Sequence, residues 1–379
     1  MKLQFWLTAA VLTVVASSCI KDEPLNAECD IVSATIPGNV LNRAPQISND
    51  RVVFVVKGGT DVTVLAPEFT ITPGAAIEPP SGTVRDFTEP QEYTVTSEDG
   101  EWHKTYTVEV QMNNIINLEY NFEHVRVYDG KFTRPYSYDI FYEEDAAGNQ
   151  TLTWASGNPG FALTGTGSTP ESFPTFQAED GLEGKCLELV TRSTGFFGTQ
   201  VGMPLAAGSL FIGTFDTTNA VARPLEATRF GTPFYNIPRS LTGFFKFAPG
   251  EQYCELVDGK LRPVEGRTDV FNIYSVLFEV TADMQMLDGS NALSEDNPNI
   301  IAVAEIPMEE RIATDEWREF TIPYVYRPGK KLDIQKLLDG SYSITIVCTS
   351  SADGGRFSGA VGSTLKVDNL RITCVGVEE

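Results

Sequence analysis

Apolar residues recur at every second position along most of this chain, and that spacing restricts it to β-structure. Val52, Phe54 and Val56 alternate with their neighbours, as do Tyr106, Val108 and Val110. A period of two lines one face of a strand, whereas a helix needs a period near 3.6. Leu332 to Leu338 is the single helical candidate, at about two turns. Gly, Pro and Asp-Gly pairs separate the apolar runs, which is the punctuation of tight turns. Many short strands with frequent turns predict an all-β chain folded as sandwiches.

The 379 residues are enough for two such domains. The first is expected over 30–112. Tyr93-Thr94-Val95-Thr96 and His103-Lys104-Thr105-Tyr106-Thr107-Val108 flank an Asp99-Gly100 turn, a hairpin signal because such turns need positive φ. This stretch resembles the bacterial immunoglobulin-like modules that stand between a lipid anchor and a working domain, and the resemblance implies a spacer. Polar residues 113–117 make a junction, and 117–379 form a second, larger domain. Its last strand changes phase: Leu365 and Val367 are apolar in one register, Leu370 and Ile372 in the other. A strand on a core cannot do this without an extra residue, so a bulge belongs at Asp368-Asn369.

The N-terminus stands apart. Lys2 precedes an apolar run from Phe5 to Ala16, too short for a bilayer span of about 20 residues but suited to a signal peptide over 1–18. Ala16-Ser17-Ser18-Cys19 resembles a lipobox, with Ala16 where leucine is more usual. Cys19 is then the lipidation site, opening a tether over 19–29. The following Lys21-Asp22-Glu23 resembles the surface-export signal of glycan-foraging gut bacteria. Together these predict an outer-membrane lipoprotein facing outward, its partner lipid reached through the Cys19 acyl chains. The other cysteines, Cys29, Cys186, Cys254, Cys348 and Cys374, are odd in number and lack metal spacing, so buried free thiols are expected. Acidic residues outnumber basic ones by 51 to 28, and the net charge of −23 argues against nucleic acid as a partner.

Four segments of the larger domain are similar to the putative carbohydrate metabolism domain of gut-bacterial surface proteins. They are Trp154–Phe161, Ala206–Gly213, Asp269–Leu277 and Ser351–Asp368. The resemblance implies a jelly-roll sandwich like those of carbohydrate-binding modules and some glycanases, with an oligo- or polysaccharide as partner. It leaves the chemistry open, since fold does not fix function.

The residue inventory narrows that chemistry. Two histidines, His103 and His124, leave little for a Ser-His-Asp arrangement, and no phosphate-binding glycine loop occurs. Stacking on sugar needs flat aromatic faces with amide partners. Trp154 with Asn158 in a Gly/Pro-rich loop, Tyr253, Tyr274 and Trp317 are candidates. Tyr324 and Tyr326, two apart, are expected on one strand face. Glycoside hydrolysis would instead need two carboxylates about 5–10 Å apart. Glu279, between Phe278 and Val280, leads that list, followed by Glu255 and Asp269. No cofactor is required. A structural calcium is the one ion with a candidate set, Glu123 early and Asp368 late in the domain. Three functions stay open: a glycan-binding protein (the favoured one), a glycoside hydrolase on the same scaffold, or a structural or adhesive surface protein.

Overall fold

The strand Arg51–Val56 shows how the alternation is used: Val52, Phe54 and Val56 are fully buried in one core. The computed structural model describes residues 25–375 apart from 39, 42–43, 57–59, 113–117, 132–133, 145–147, 149 and 339. Cys19 and its signal segment lie outside the described residues. Around Arg51–Val56 a five-stranded sheet runs in the order Gln46–Ile47, Arg51–Val56, His103–Met112, Gln91–Thr96, Ala76–Glu78. Arg51–Val56 lies parallel to His103–Met112, while the remaining pairs are antiparallel. Ile31–Thr35 and Glu68–Ile71 form the second layer of this immunoglobulin-like sandwich. The Asp99-Gly100 turn closes the expected hairpin, with Thr96 opposite His103 and Gly100 at φ 73°.

The larger sandwich has two facing antiparallel sheets. One runs Thr175–Ala178, Cys186–Val190, Thr364–Cys374, Pro238–Ala248, Thr314–Pro323. The other, of seven strands, runs Ala155–Ser156, Ser209–Phe211, Tyr342–Thr349, Asn272–Glu279, Ile300–Glu305, Val325–Tyr326, with Thr232–Pro233 also paired to Tyr342–Thr349. The chain passes repeatedly between them, as a jelly roll does. Leu187, Leu241, Phe245, Ile273, Ile346 and Val367 are among the side chains packed between the sheets, and this core shares no residue with the first. The first strand of the larger sandwich, Glu119–Tyr120, pairs directly with the last, Tyr120 opposite Leu370. Among the described residues, α-helix is confined to four short segments, Asn158–Ala162, Gly195–Gln200, Pro224–Ala227 and Ile334–Leu338. Only the last falls in the single stretch the sequence singles out, because one or two turns leave too short a pattern to read.

The bulge in the last strand is present. Thr242 faces Arg371 and Phe244 faces Asp368, so three steps on the last strand match two on its partner. Asn369 takes the extra position at φ 48°, and Leu365, Val367, Leu370 and Ile372 all reach the core. All five described cysteines are unpaired. Cys186, Cys348 and Cys374 are buried, but Cys29 and Cys254 are only half-buried.

Candidate binding sites

The acids singled out by sequence are already engaged. Asp269 is buried, and its Oδ2 accepts from Ser351 Oγ at 2.6 Å, Ala360 N at 2.7 Å and Ser363 Oγ at 2.7 Å. It ties three loops together. Glu279 is not set in an apolar pocket, because its strand ends there and the carboxylate pairs with Lys336. Glu255 pairs with Arg267. Glu123 and Asp368 do converge, but on backbone amides of one turn. Asp368 Oδ2 accepts from Leu182 N at 2.7 Å and Glu183 N at 3.3 Å, Asp368 Oδ1 from Asn369 N at 2.8 Å, and Glu123 Oε1 from Lys185 N at 2.9 Å. In this structure the two carboxylates clamp the backbone of the 182–185 turn.

The aromatic candidates are scattered. Trp154 is not exposed: it is 3% accessible in the core, edge-on to Tyr120, and its Nε1 donates to Glu143 Oε1 at 2.8 Å. Asn158 is fully buried and bonds both backbone groups of Thr175. The Tyr253 ring is covered by the Arg267 guanidinium at 4.1 Å, and its hydroxyl donates to Asp353 at 2.8 Å. Trp317 carries the Lys246 ammonium 5.1 Å from its ring. Tyr324 and Tyr326 do not share a face. The chain crosses from one sheet to the other between Pro323 and Val325, so Tyr324 is buried with its hydroxyl on Ser275 Oγ at 2.6 Å while Tyr326 is exposed.

Two of the concavities among the described residues bear on ligand binding. The first, about 860 Å³, follows the ribbon Val125–Lys131, Pro135–Glu144, Gln150–Thr153. Tyr138 stands opposite Tyr128, and their rings stack at 4.9 Å. The Tyr136 ring lies nearly parallel to that of Tyr138, centroids 6.2 Å apart, and packs on Gly130, where any Cβ would collide with it. Tyr138 rests on Phe173, which leaves Tyr128 as the open ring, 38% accessible. Tyr142, Arg126 and Gln150 line the same groove, facing Asp50 and Glu109 of the first sandwich. Burial raises the Asp139 carboxyl above its ordinary range, although Gln177 N donates to it at 2.9 Å.

The second concavity, about 330 Å³, lies on the outer face of the seven-stranded sheet. Asn272, Tyr274, Val276 and Phe278 point outward there, while Ile273 and Leu277 point into the core. Phe161, Phe211, Phe215 and Phe230 are among its walls, and no charged residue lines it among the described residues. Burial keeps the Tyr274 phenol far above its usual range, with Glu305 adding to the effect.

Both the polar groove and the apolar cavity lie within or beside a segment with known relatives. Residues 121–373 match the family described as putative carbohydrate metabolism domain. The chain belongs to that family. Residues 31–110 match the N-terminal domain of SGBP proteins. A crystal structure described as a putative glycoside hydrolase from Bacteroides thetaiotaomicron is 45% identical with a TM-score of 0.83, covering 93% of this chain and 99% of its own. A second putative glycoside hydrolase, from Bacteroides vulgatus, is 45% identical with a TM-score of 0.61, covering 68% of this chain and 98% of its own. No curated protein matches the sequence.

For this family member, the sequence candidates omitted Tyr128, Tyr136 and Tyr138. Their signal was available, since Tyr136 and Tyr138 alternate beside the Asp129-Gly130 pair. Asn272 was equally readable from its phase with Tyr274.

Proposed function

We propose that this chain is an exported surface lipoprotein, anchored through Cys19, that captures glycan in the groove along the tyrosine ribbon. The observation that carries the reading is the open Tyr128 ring, backed by Tyr138 and Phe173 and flanked by Gln150, Arg126 and acidic side chains. An aromatic face takes the apolar side of a sugar, and polar neighbours take its hydroxyls. A rigid stack loses little entropy on binding. Membership of a carbohydrate-metabolism family and an SGBP-type first domain support a glycan partner and a place at the cell surface.

The second reading is hydrolysis, favoured by the description of both crystallised relatives as putative glycoside hydrolases. Against it, Glu279, Glu255 and Asp269 are each held by a cation or a set of donors. Affinity electrophoresis through a panel of polysaccharides tests the first reading. Tyr128→Ala should cut retention at least tenfold and leave the melting temperature nearly unchanged, because the ring is a surface residue. Equal retention of variant and wild type would remove the groove from consideration. Steady release of reducing ends by the wild type would decide for hydrolysis.

A further inference from the structure

The apolar cavity on the seven-stranded sheet is unlike the groove in chemistry. Its walls are mostly aromatic and aliphatic with a few Ser and Thr hydroxyls, the exposed apolar side chains Phe197, Val201 and Val221 are among them, and no lining residue carries a charge among the described residues. One polar atom on its floor is anomalous. Asn272 is 5% accessible, and its Oδ1 has no hydrogen-bond partner among the described residues. A buried acceptor without a donor costs about 1–3 kcal/mol and requires an explanation.

The amide cannot escape this by rotating. Asn272 Nδ2 donates to Glu305 Oε1 at 2.9 Å, and the same oxygen accepts from Arg311 Nη2 at 2.7 Å. Arg311 is itself buried and donates through Nε to Ile306 O at 3.0 Å. A flipped amide would set its carbonyl against the carboxylate, so the relay Arg311–Glu305–Asn272 fixes Oδ1 as a lone acceptor. Tyr274, on the same strand face, lines the same cavity.

We propose that this cavity binds a neutral, ring-containing small molecule that carries one hydroxyl donor, an alcohol or a phenol, aimed at Asn272 Oδ1. Neutrality follows from uncharged walls in which an ion would lose its hydration without compensation. The ring follows from the aromatic walls, and the donor from the orphaned acceptor. A volume of about 330 Å³ falls in the range of small-molecule pockets. The cavity and the glycan groove share Phe215 in their walls but differ in every residue the two proposals rest on, so neither proposal depends on the other.

Three probes of matched shape test it on the whole folded protein: 1-naphthol, naphthalene and 1-naphthoate. Calorimetric titration and thermal shift should show 1-naphthol binding, naphthalene binding about tenfold more weakly for want of the donor, and the naphthoate anion not binding. Asn272→Leu should erase the preference for naphthol over naphthalene. Val221→Trp, at a rim position 44% accessible, should close the mouth and abolish binding of both while leaving the fold intact. Equal affinity of wild type for naphthol and naphthalene overturns the donor assignment. Naphthol binding unchanged in Val221→Trp places the ligand elsewhere, and binding of no neutral probe leaves the cavity to water alone. If Asn272→Leu does not fold, the wild-type probe comparison and the rim variant still decide the matter.

Discussion

Glu143 is a buried carboxyl whose surroundings carry its titration up to neutral pH. Burial lifts its carboxyl from 4.5 to about 7, and the Trp154 indole N–H offsets only part of that. The unfolded chain releases this proton near 4.5 and the folded chain near 7. Between those values the folded state holds more protons, so the contribution to stability is full below pH 4.5 and is lost as pH rises through 7. Glu143→Gln keeps the acceptor for Trp154 and removes the titration. Compared with it, the wild type should lose roughly 3 kcal/mol of stability between pH 4 and pH 8, as read from denaturant melts. Parallel pH profiles for the two proteins would show that Glu143 is ionised in the fold. Trp154→Ala should cost about 3–5 kcal/mol as a core truncation, in contrast to the small effect expected at Tyr128. Trp154 looked exposed in the sequence because Gly157, Asn158, Pro159 and Gly160 follow it. Those residues instead turn the chain into a short helix, and the ring stays in the core on the strand side.

Among elements, the last strand of the larger sandwich was the most legible and the sheet-crossing segment around Tyr324 the least. A change of apolar phase has one remedy in a packed strand, an inserted residue, and Asn369 supplies it. A change of sheet leaves no phase signature. Tyr324 and Tyr326 keep their spacing of two while the backbone turns between layers, so they end on different surfaces. Likewise no pattern in sequence pairs Glu279 with Lys336 or Glu255 with Arg267, because ion pairs at such separations are set by loop placement. The bulge gives a test of its own. Asn369→Gly should be neutral, whereas Asn369→Val, a β-branched residue forced to positive φ, should cost about 1–2 kcal/mol. Asp368→Ala should cost about 1–3 kcal/mol by orphaning the Leu182 and Glu183 amides. Because the Asp368 and Glu123 oxygens face N–H groups, calcium or its chelator should leave the melting temperature unchanged. A rise of several degrees on adding calcium would reverse that view.

At the scale of the whole molecule, the two sandwiches keep separate cores, the first around Phe54 and Tyr93 and the second around Phe245 and Ile346. Residues 117–379 should therefore melt cooperatively when expressed alone. A non-cooperative melt would mean that the larger sandwich needs its neighbour. Cys19→Ala should release the protein from membranes, and metabolic palmitate labelling of the variant reads this directly. The pairing of Tyr120 with Leu370 has a consequence beyond stability. The larger sandwich begins and finishes on adjacent, hydrogen-bonded strands, roughly 5 Å apart. Such a unit is modular in the genetic sense: it can be spliced into a surface loop of another protein with little stretching of the host. Joined tail to head and reopened at the Asp258-Gly259 hairpin turn, it would keep every strand pairing it now has. Lineages that shuffle surface proteins could therefore move this sandwich as a single cassette.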